Sequence, residues 1–372
     1  MKVAPLYHAL KKEHWVRPII VHTGQHYDLN MSDAFFEDLD LPRPDVYLGV
    51  GSGTHAEQTG KVMMSYEKIL YDQRPDLVVV VGDVNSTMAV IMAASKIVYP
   101  INHSTNPINQ RRRPLVAHLE AGLRSFDRSM PEEINRLVTD VLADILWTPS
   151  RDAVENLLKE GIPPEKIQFV GNIMIDSLEM LREKIEEQKA YLSFGLEQRR
   201  YGIVTLHRPS NVDNPKVLKR VCIVLEEISE KVPLVFPIHP RTRKNMEDNQ
   251  LLSVLENSGK LFLPEPLNYI RFMNLVFNCQ FVITDSGGIQ EETSYLGIPC
   301  LTVRENTERP ITITQGTNQL CDIDHLKGQI DEIMQNRIQR RKKIRFWDGK
   351  TAERIVKVLR NLNNGSDKLD SK

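Results

Sequence analysis

Leu77-Val-Val-Val-Val81 is apolar at every position. A strand with one face in water alternates apolar and polar residues. An unbroken β-branched run predicts instead a strand covered on both faces, as in the parallel sheets of α/β proteins. Similar short runs recur at 18–21, 115–119, 145–148, 168–170, 202–206, 234–238, 261–263, 281–284 and 300–303. Helical patterns fall between them, at 57–71, 131–142, 151–159, 215–228 and 287–295. Strand–helix alternation of this kind builds doubly wound sheets. The polar helical stretch 181–200 interrupts the rhythm, and a fresh set of strands starts at Tyr201. The expectation is an α/β protein of two Rossmann-like doubly wound domains, 1–171 and 172–348.

Ligands of such sheets bind beyond the carboxyl ends of the strands. Here those ends carry Gly82-Asp83, Glu120-Ala-Gly122, His207-Arg208, His239-Pro-Arg241 and Asp285-Ser-Gly-Gly288. They come from both halves, which predicts an active site in the interdomain cleft. The last of them closes an apolar run and opens a helix. Free N–H groups and the helix dipole favour a phosphate there. Gly287 and Gly288 allow close backbone approach, Ser286 adds a hydroxyl donor, and Glu291 and Glu292 suit a ribose diol. An ordinary capped strand-to-helix turn would read the same from these residues alone.

The 48 basic and 49 acidic residues nearly balance, which argues against a nucleic-acid binder. No apolar run approaches the ~20 residues of a membrane span. The four cysteines form no CxxC and no disulfide framework, and read as reduced and cytoplasmic. Gly49-Val-Gly-Ser-Gly-Thr54 lacks the spacing of a dinucleotide fingerprint, and there is no P-loop. His22 and His26 flank Thr23-Gly24, which breaks any helix and argues against a metal pair.

Several residues have both a bland and a chemical reading. Asp83 either caps a helix at Asn85 or serves a ligand. Glu120 ends a strand, where a partly buried carboxylate can act as acid or base. Glu132 and Glu133 follow Pro131, where a carboxylate complements the helix dipole. His207 and His239 are either strand-end histidines or cations facing a diphosphate. Arg309 is placed to pair with a phosphate or with a carboxylate.

The assembled motifs resemble the non-hydrolysing UDP-N-acetylglucosamine 2-epimerases. They include Gly53-Thr-His-Ala-Glu-Gln58, Ala117-His-Leu-Glu-Ala-Gly-Leu-Arg124, Pro131-Glu-Glu-Ile-Asn-Arg136, Thr205-Leu-His-Arg208, Asp285-Ser-Gly-Gly-Ile-Gln-Glu-Glu292 and Thr307-Glu-Arg-Pro310. The resemblance implies a GT-B-like fold, with a C-terminal helix in 349–372 packing back on the first domain. It implies elimination of UDP from a UDP-2-acetamido sugar to a 2-acetamidoglycal, then re-addition after protonation on the other face. No cofactor and no metal are implied, and a homodimer is. Asp83, Glu120, Glu132 and His207 match catalytic positions. Lys2, Phe272, Ser286, Gly287, Gly288, Glu292 and Arg309 match substrate contacts. Gln25, His26, Arg208 and His239 match a second nucleotide-sugar site, although Tyr27-Asp-Leu-Asn30 departs from that pattern. The resemblance also places a strand and a loop arginine ahead of Lys2. The expectation is therefore a truncated chain of poor activity. The segment 99–113, ending in three arginines, lengthens a loop. A hydrolysing 2-epimerase, a GT-B glycosyltransferase and a non-catalytic UDP-sugar binder remain as alternatives.

Overall fold

A computed structural model describes residues 1–25, 36–100, 112–256, 259–335 and 343–367. The chain forms two compact units, Met1–Met180 with Arg345–Lys372, and Leu181–Ile344.

In the first unit, four parallel strands lie in the order β3 (Leu77–Val81), β4 (Leu115–Leu119), β5 (Ile145–Thr148), β6 (Ile167–Phe169). Two short parallel strands, β1 (Val21–His22) and β2 (Val46–Tyr47), pair separately. The period of two explains the unbroken apolar runs. Val78, Val80, Val116 and Leu146 pack with Val62, Tyr66 and Leu70 of the helix His55–Gln73. Val79, Val81, Ala117, Leu119 and Trp147 join a second cluster with Leu6, Ile355 and Leu359. Both faces of the sheet are covered, as those runs require.

The helix of that second layer, Thr351–Asp367, is fixed at its start. Asp176, on the helix Ile173–Glu186, accepts the backbone N–H groups of Thr351 (3.1 Å) and Ala352 (2.8 Å). The Trp347 indole donates to the Pro149 carbonyl at 3.0 Å. Gly171, at φ +102°, passes directly under the Phe346 carbonyl, where a side chain would collide.

In the second unit, six parallel strands run β12 (Asn318–Cys321), β11 (Cys300–Val303), β10 (Phe281–Thr284), β7 (Gly202–Thr205), β8 (Leu234–Val235), β9 (Leu261–Phe262). The order reverses between β7 and β10, the crevice where doubly wound sheets take their ligands. Their register pairs Thr205 with Thr284, so His207 and Asp285 leave the sheet side by side.

The sequence placed most of these strands within a residue or two. β1 begins later than expected. β2 and β12 carried no expectation; β2 has two residues, and Asn-Gln-Leu-Cys is half polar.

Candidate functional site

In the first unit, adjacency of β3 and β4 sets Gly82–Asp83 beside Glu120–Gly122. Gly82 takes φ +70°, and its N–H donates to the Leu119 carbonyl at 3.0 Å. Glu120 sits at φ +75°, an unusual conformation for a side chain of its size. It is 4% exposed. One carboxylate oxygen, Oε2, takes the Lys2 ammonium. The other, Oε1, is buried with no hydrogen-bond partner among the described residues. A buried carboxylate half committed to a lysine is chemically available on its second oxygen.

Asp83 is held by Arg136, whose Nε and Nη2 reach its Oδ2 at 2.9 and 2.6 Å. The other branch of Arg136 donates to Glu133 at 2.7 Å. Glu133 also accepts from Ser125 N and Oγ, both at 2.9 Å, and from Phe126 N at 3.0 Å. Burial pushes the Glu133 carboxyl up, but the Ser125 and Arg136 donors outweigh it and hold it below its ordinary range. Glu132 is exposed on the first turn of the same helix, Pro131–Leu142. Arg136 carried no expected role and Glu133 only that of complementing the helix dipole, yet a further signal existed. Glu133, Arg136 and Asp140 fall at i, i+3 and i+7, one helical face, and that face is buried. Gln25 accepts the Ser86 N–H at 3.0 Å, at the start of the helix Asn85–Ala94. His26 and residues 101–111 lie outside the described residues.

In the second unit, Asp285 is fully buried and organises the turn. Its carboxylate accepts the N–H groups of His207 (3.0 Å) and Arg208 (2.9 Å) and the Asn211 amide (3.0 Å). The His207 Nδ1 lies 3.0 Å from the same carboxylate. Burial pushes Asp285 up, but His207 and Asn211 outweigh it and keep it an anion well suited to receive Nδ1–H. That leaves Nε2 of the half-exposed His207 for a ligand. Arg208 also donates from Nε to the Asp285 carbonyl at 3.0 Å. His239 lies apart, exposed as the cap of the helix Pro240–Asp248, accepting the Arg241 N–H at 3.3 Å.

Ser286 caps the helix Gly287–Leu296 without a side-chain bond of its own. The two glycines differ. A Cβ at Gly287 would stand 2.5 Å from Glu308 Oε1 and 2.6 Å from Arg309 Nη1. A Cβ at Gly288 would meet nothing within 4 Å. The first glycine admits the Arg309 guanidinium and the second leaves open space at the helix start. Arg309 pairs with Glu308 and lies 3.0 Å from Glu291 Oε1, and Glu308 also reaches Arg304 at 2.9 Å. Arg309 thus has the carboxylate partners of its expected pairing. Glu292 accepts the Tyr269 hydroxyl at 2.6 Å. Burial raises its carboxyl to about 7, against the lowering effect of that bond. Phe272 is half-buried one turn along the helix Tyr269–Asn278.

The family model for UDP-N-acetylglucosamine 2-epimerase matches residues 8–106 and 110–360. The chain is 43% identical over 366 residues to the UDP-N-acetylglucosamine 2-epimerase of Methanocaldococcus jannaschii, covering 96% of this chain and 95% of that one. It is 39% identical over 327 residues to the UDP-2,3-diacetamido-2,3-dideoxy-D-glucuronate 2-epimerase of Pseudomonas aeruginosa, covering 86% and 84%. Its fold matches the crystal structure of the M. jannaschii enzyme in complex with UDP-GlcNAc and UDP, with TM-score 0.83 and 40% identity over 97% and 96% of the two chains.

Proposed function

We propose that this chain, which belongs to the UDP-N-acetylglucosamine 2-epimerase family, inverts C2 of a UDP-2-acetamido sugar and returns it as the nucleotide sugar rather than hydrolysing it. The C2 hydrogen stands next to an acetal carbon, not a carbonyl, so it is not acidic by itself. Loss of the hydrogen is therefore paired with departure of the diphosphate. A base takes the C2 proton, C1=C2 forms, and the C1–O bond breaks with its electrons going to UDP. Protonation of C2 on the opposite face and attack of the UDP oxygen on C1 complete the inversion. Atoms balance without water or an external electron carrier.

The observation that carries this reading is Glu120. Its buried, unpartnered Oε1 and left-handed backbone are features of a group held for proton transfer, and Lys2 keeps the other oxygen occupied. Asp83, anchored by Arg136, is the carboxylate of the neighbouring strand end. Two carboxylates suit a reaction that must serve two faces of one carbon. For the leaving group, the start of the helix Gly287–Leu296 and the open space at Gly288 suit a phosphate. His207, its Nδ1 facing Asp285, offers Nε2–H to the departing oxygen when the ring is charged. Buried Glu292 suits the ribose hydroxyls. Retention of UDP through elimination is what separates inversion from hydrolysis.

The test is incubation with UDP-GlcNAc in deuterated water, followed by NMR. Deuterium at C2 and accumulation of UDP-ManNAc are expected. Free N-acetylmannosamine with UDP would replace this reading by a hydrolysing one, and intact binding without exchange would remove catalysis altogether. The 2,3-diacetamido uronic acid nucleotide, run in parallel, assigns the sugar.

A further inference from the structure

The motif Ala117-His-Leu-Glu-Ala-Gly-Leu-Arg124 contains a histidine that the proposed chemistry does not use. His118 lies on β4 and is 0% exposed, as is its partner Asp140. Its Nε2 stands 2.9 Å from the Gly82 carbonyl oxygen. A carbonyl only accepts, so Nε2 carries a hydrogen. Its Nδ1 stands 2.6 Å from Asp140 Oδ1. Asp140 accepts on Oδ2 from the Gly122 N–H at 3.0 Å and from Arg124 at 2.7 Å, the partners of an ionised carboxylate. Nδ1 then donates as well. Burial pushes Asp140 up, yet His118 and Arg124 prevail and its carboxyl stays below its ordinary range.

The ion pairs continue beyond Asp140. Arg124 continues to Glu160 through two bonds of 2.8 and 2.7 Å. The row His118, Asp140, Arg124, Glu160 sums to zero only when the imidazole is positive. His118, Asp140 and Arg124 are buried and Glu160 reaches the surface, so the row carries alternating charges from the interior out to solvent. The other charged groups at this point, Lys2 and Glu120, lie beside Gly82 and pair with each other.

We infer that His118 is a buried imidazolium that acts as a positioning residue, locking the Gly82–Asp83 turn to the Glu120–Gly122 turn through Asp140. One carboxylate reaches both turns, directly at the Gly122 N–H and through the ring at the Gly82 carbonyl. Asp83 follows that carbonyl, and Glu120 follows the histidine by two residues. Relative placement of the two proposed proton-transfer carboxylates depends on this link. The inference rests on the epimerase reading for its kinetic half only.

The experiment has two arms on the whole chain. In the first, protein labelled with nitrogen-15 at histidine is observed by NMR near neutral pH. Hydrogens on both nitrogens of His118 are expected in the wild type, and Asp140→Asn should leave one nitrogen bare. A bare nitrogen in the wild type overturns the imidazolium. In the second arm, His118→Gln and His118→Asn each keep one of the two donors. C2 exchange should fall about tenfold to a hundredfold in kcat, as for a small misplacement of reacting groups, with KM and UDP affinity nearly unchanged. Folded variants with kcat within twofold of wild type overturn the positioning role. A wild type without C2 exchange sinks the epimerase reading, and the spectrum still decides the charge.

Discussion

Glu120 combines three local conditions: burial, a left-handed backbone and a single committed oxygen. Replacing it with glutamine keeps volume and removes the proton site. Glu120→Gln is expected to lower C2 deuterium exchange by about a hundredfold or more, the scale of a lost general acid or base. UDP affinity, measured by calorimetry, should stay within about twofold, since the proposed nucleotide contacts lie elsewhere. Retained exchange would remove Glu120 from the reaction. Glu292 gives a second residue-scale test. Its carboxyl is raised from 4.5 to about 7 by burial. A folded state that holds a proton more tightly loses stability as pH rises from the unfolded value through the folded one. Melting temperature should therefore fall between about pH 4.5 and pH 7, by an amount on the order of 3 kcal/mol in free energy. Glu292→Gln should flatten that slope, and an unchanged slope would assign it to another group. Glu120, His207 and Asp285 were legible in the sequence because each follows an apolar run, where a polar residue stands out. Tyr269 and His118 were not, because what makes them matter is a partner tens of residues away, and for Arg136 the helical face was readable but its partner Asp83 was not.

At the scale of elements, the turn from β10 into the helix Gly287–Leu296 separates two glycines with different work. Gly287→Ala puts a methyl group within 2.6 Å of the Arg309 guanidinium, so Arg309 or the helix must move. A loss of about 1–3 kcal/mol in stability is expected, the usual cost of overpacking. Gly288→Ala meets no atom within 4 Å. It should leave the melting temperature unchanged while weakening UDP binding about tenfold or more, because the methyl group occupies space a phosphate needs beside the backbone N–H groups. Equal UDP affinity in Gly288→Ala would place the diphosphate elsewhere. The strands and this helix were readable from apolar runs and from the glycine turn. The order of the strands was not, since hydrophobic pattern says which segments are buried but not which neighbours they choose. The switch between β7 and β10, which brings His207 to Asp285, is a product of that order.

For the molecule as a whole, the first unit closes only with its last helix. Asp176 caps that helix through Thr351 and Ala352, and Trp347 is tied to Pro149. Asp176→Ala should cost about 1–2 kcal/mol, the range for a lost N-cap. Amide hydrogen exchange should rise first along Thr351–Asp367. Uniform protection there would show that apolar packing by Ile355 and Leu359 alone holds the helix. The same connectivity has a temporal side. Residues 181–344 are one continuous stretch, whereas the other unit is assembled from 1–180 and 345–372. A ribosome delivers the chain from its amino end, at about 5–20 residues per second. The second unit is thus fully synthesised while the first still waits for its closing helix. The part begun first closes after the part that interrupts it, and until residues 351–367 emerge one face of its sheet is covered only in part, by Leu6, Ile173 and their neighbours.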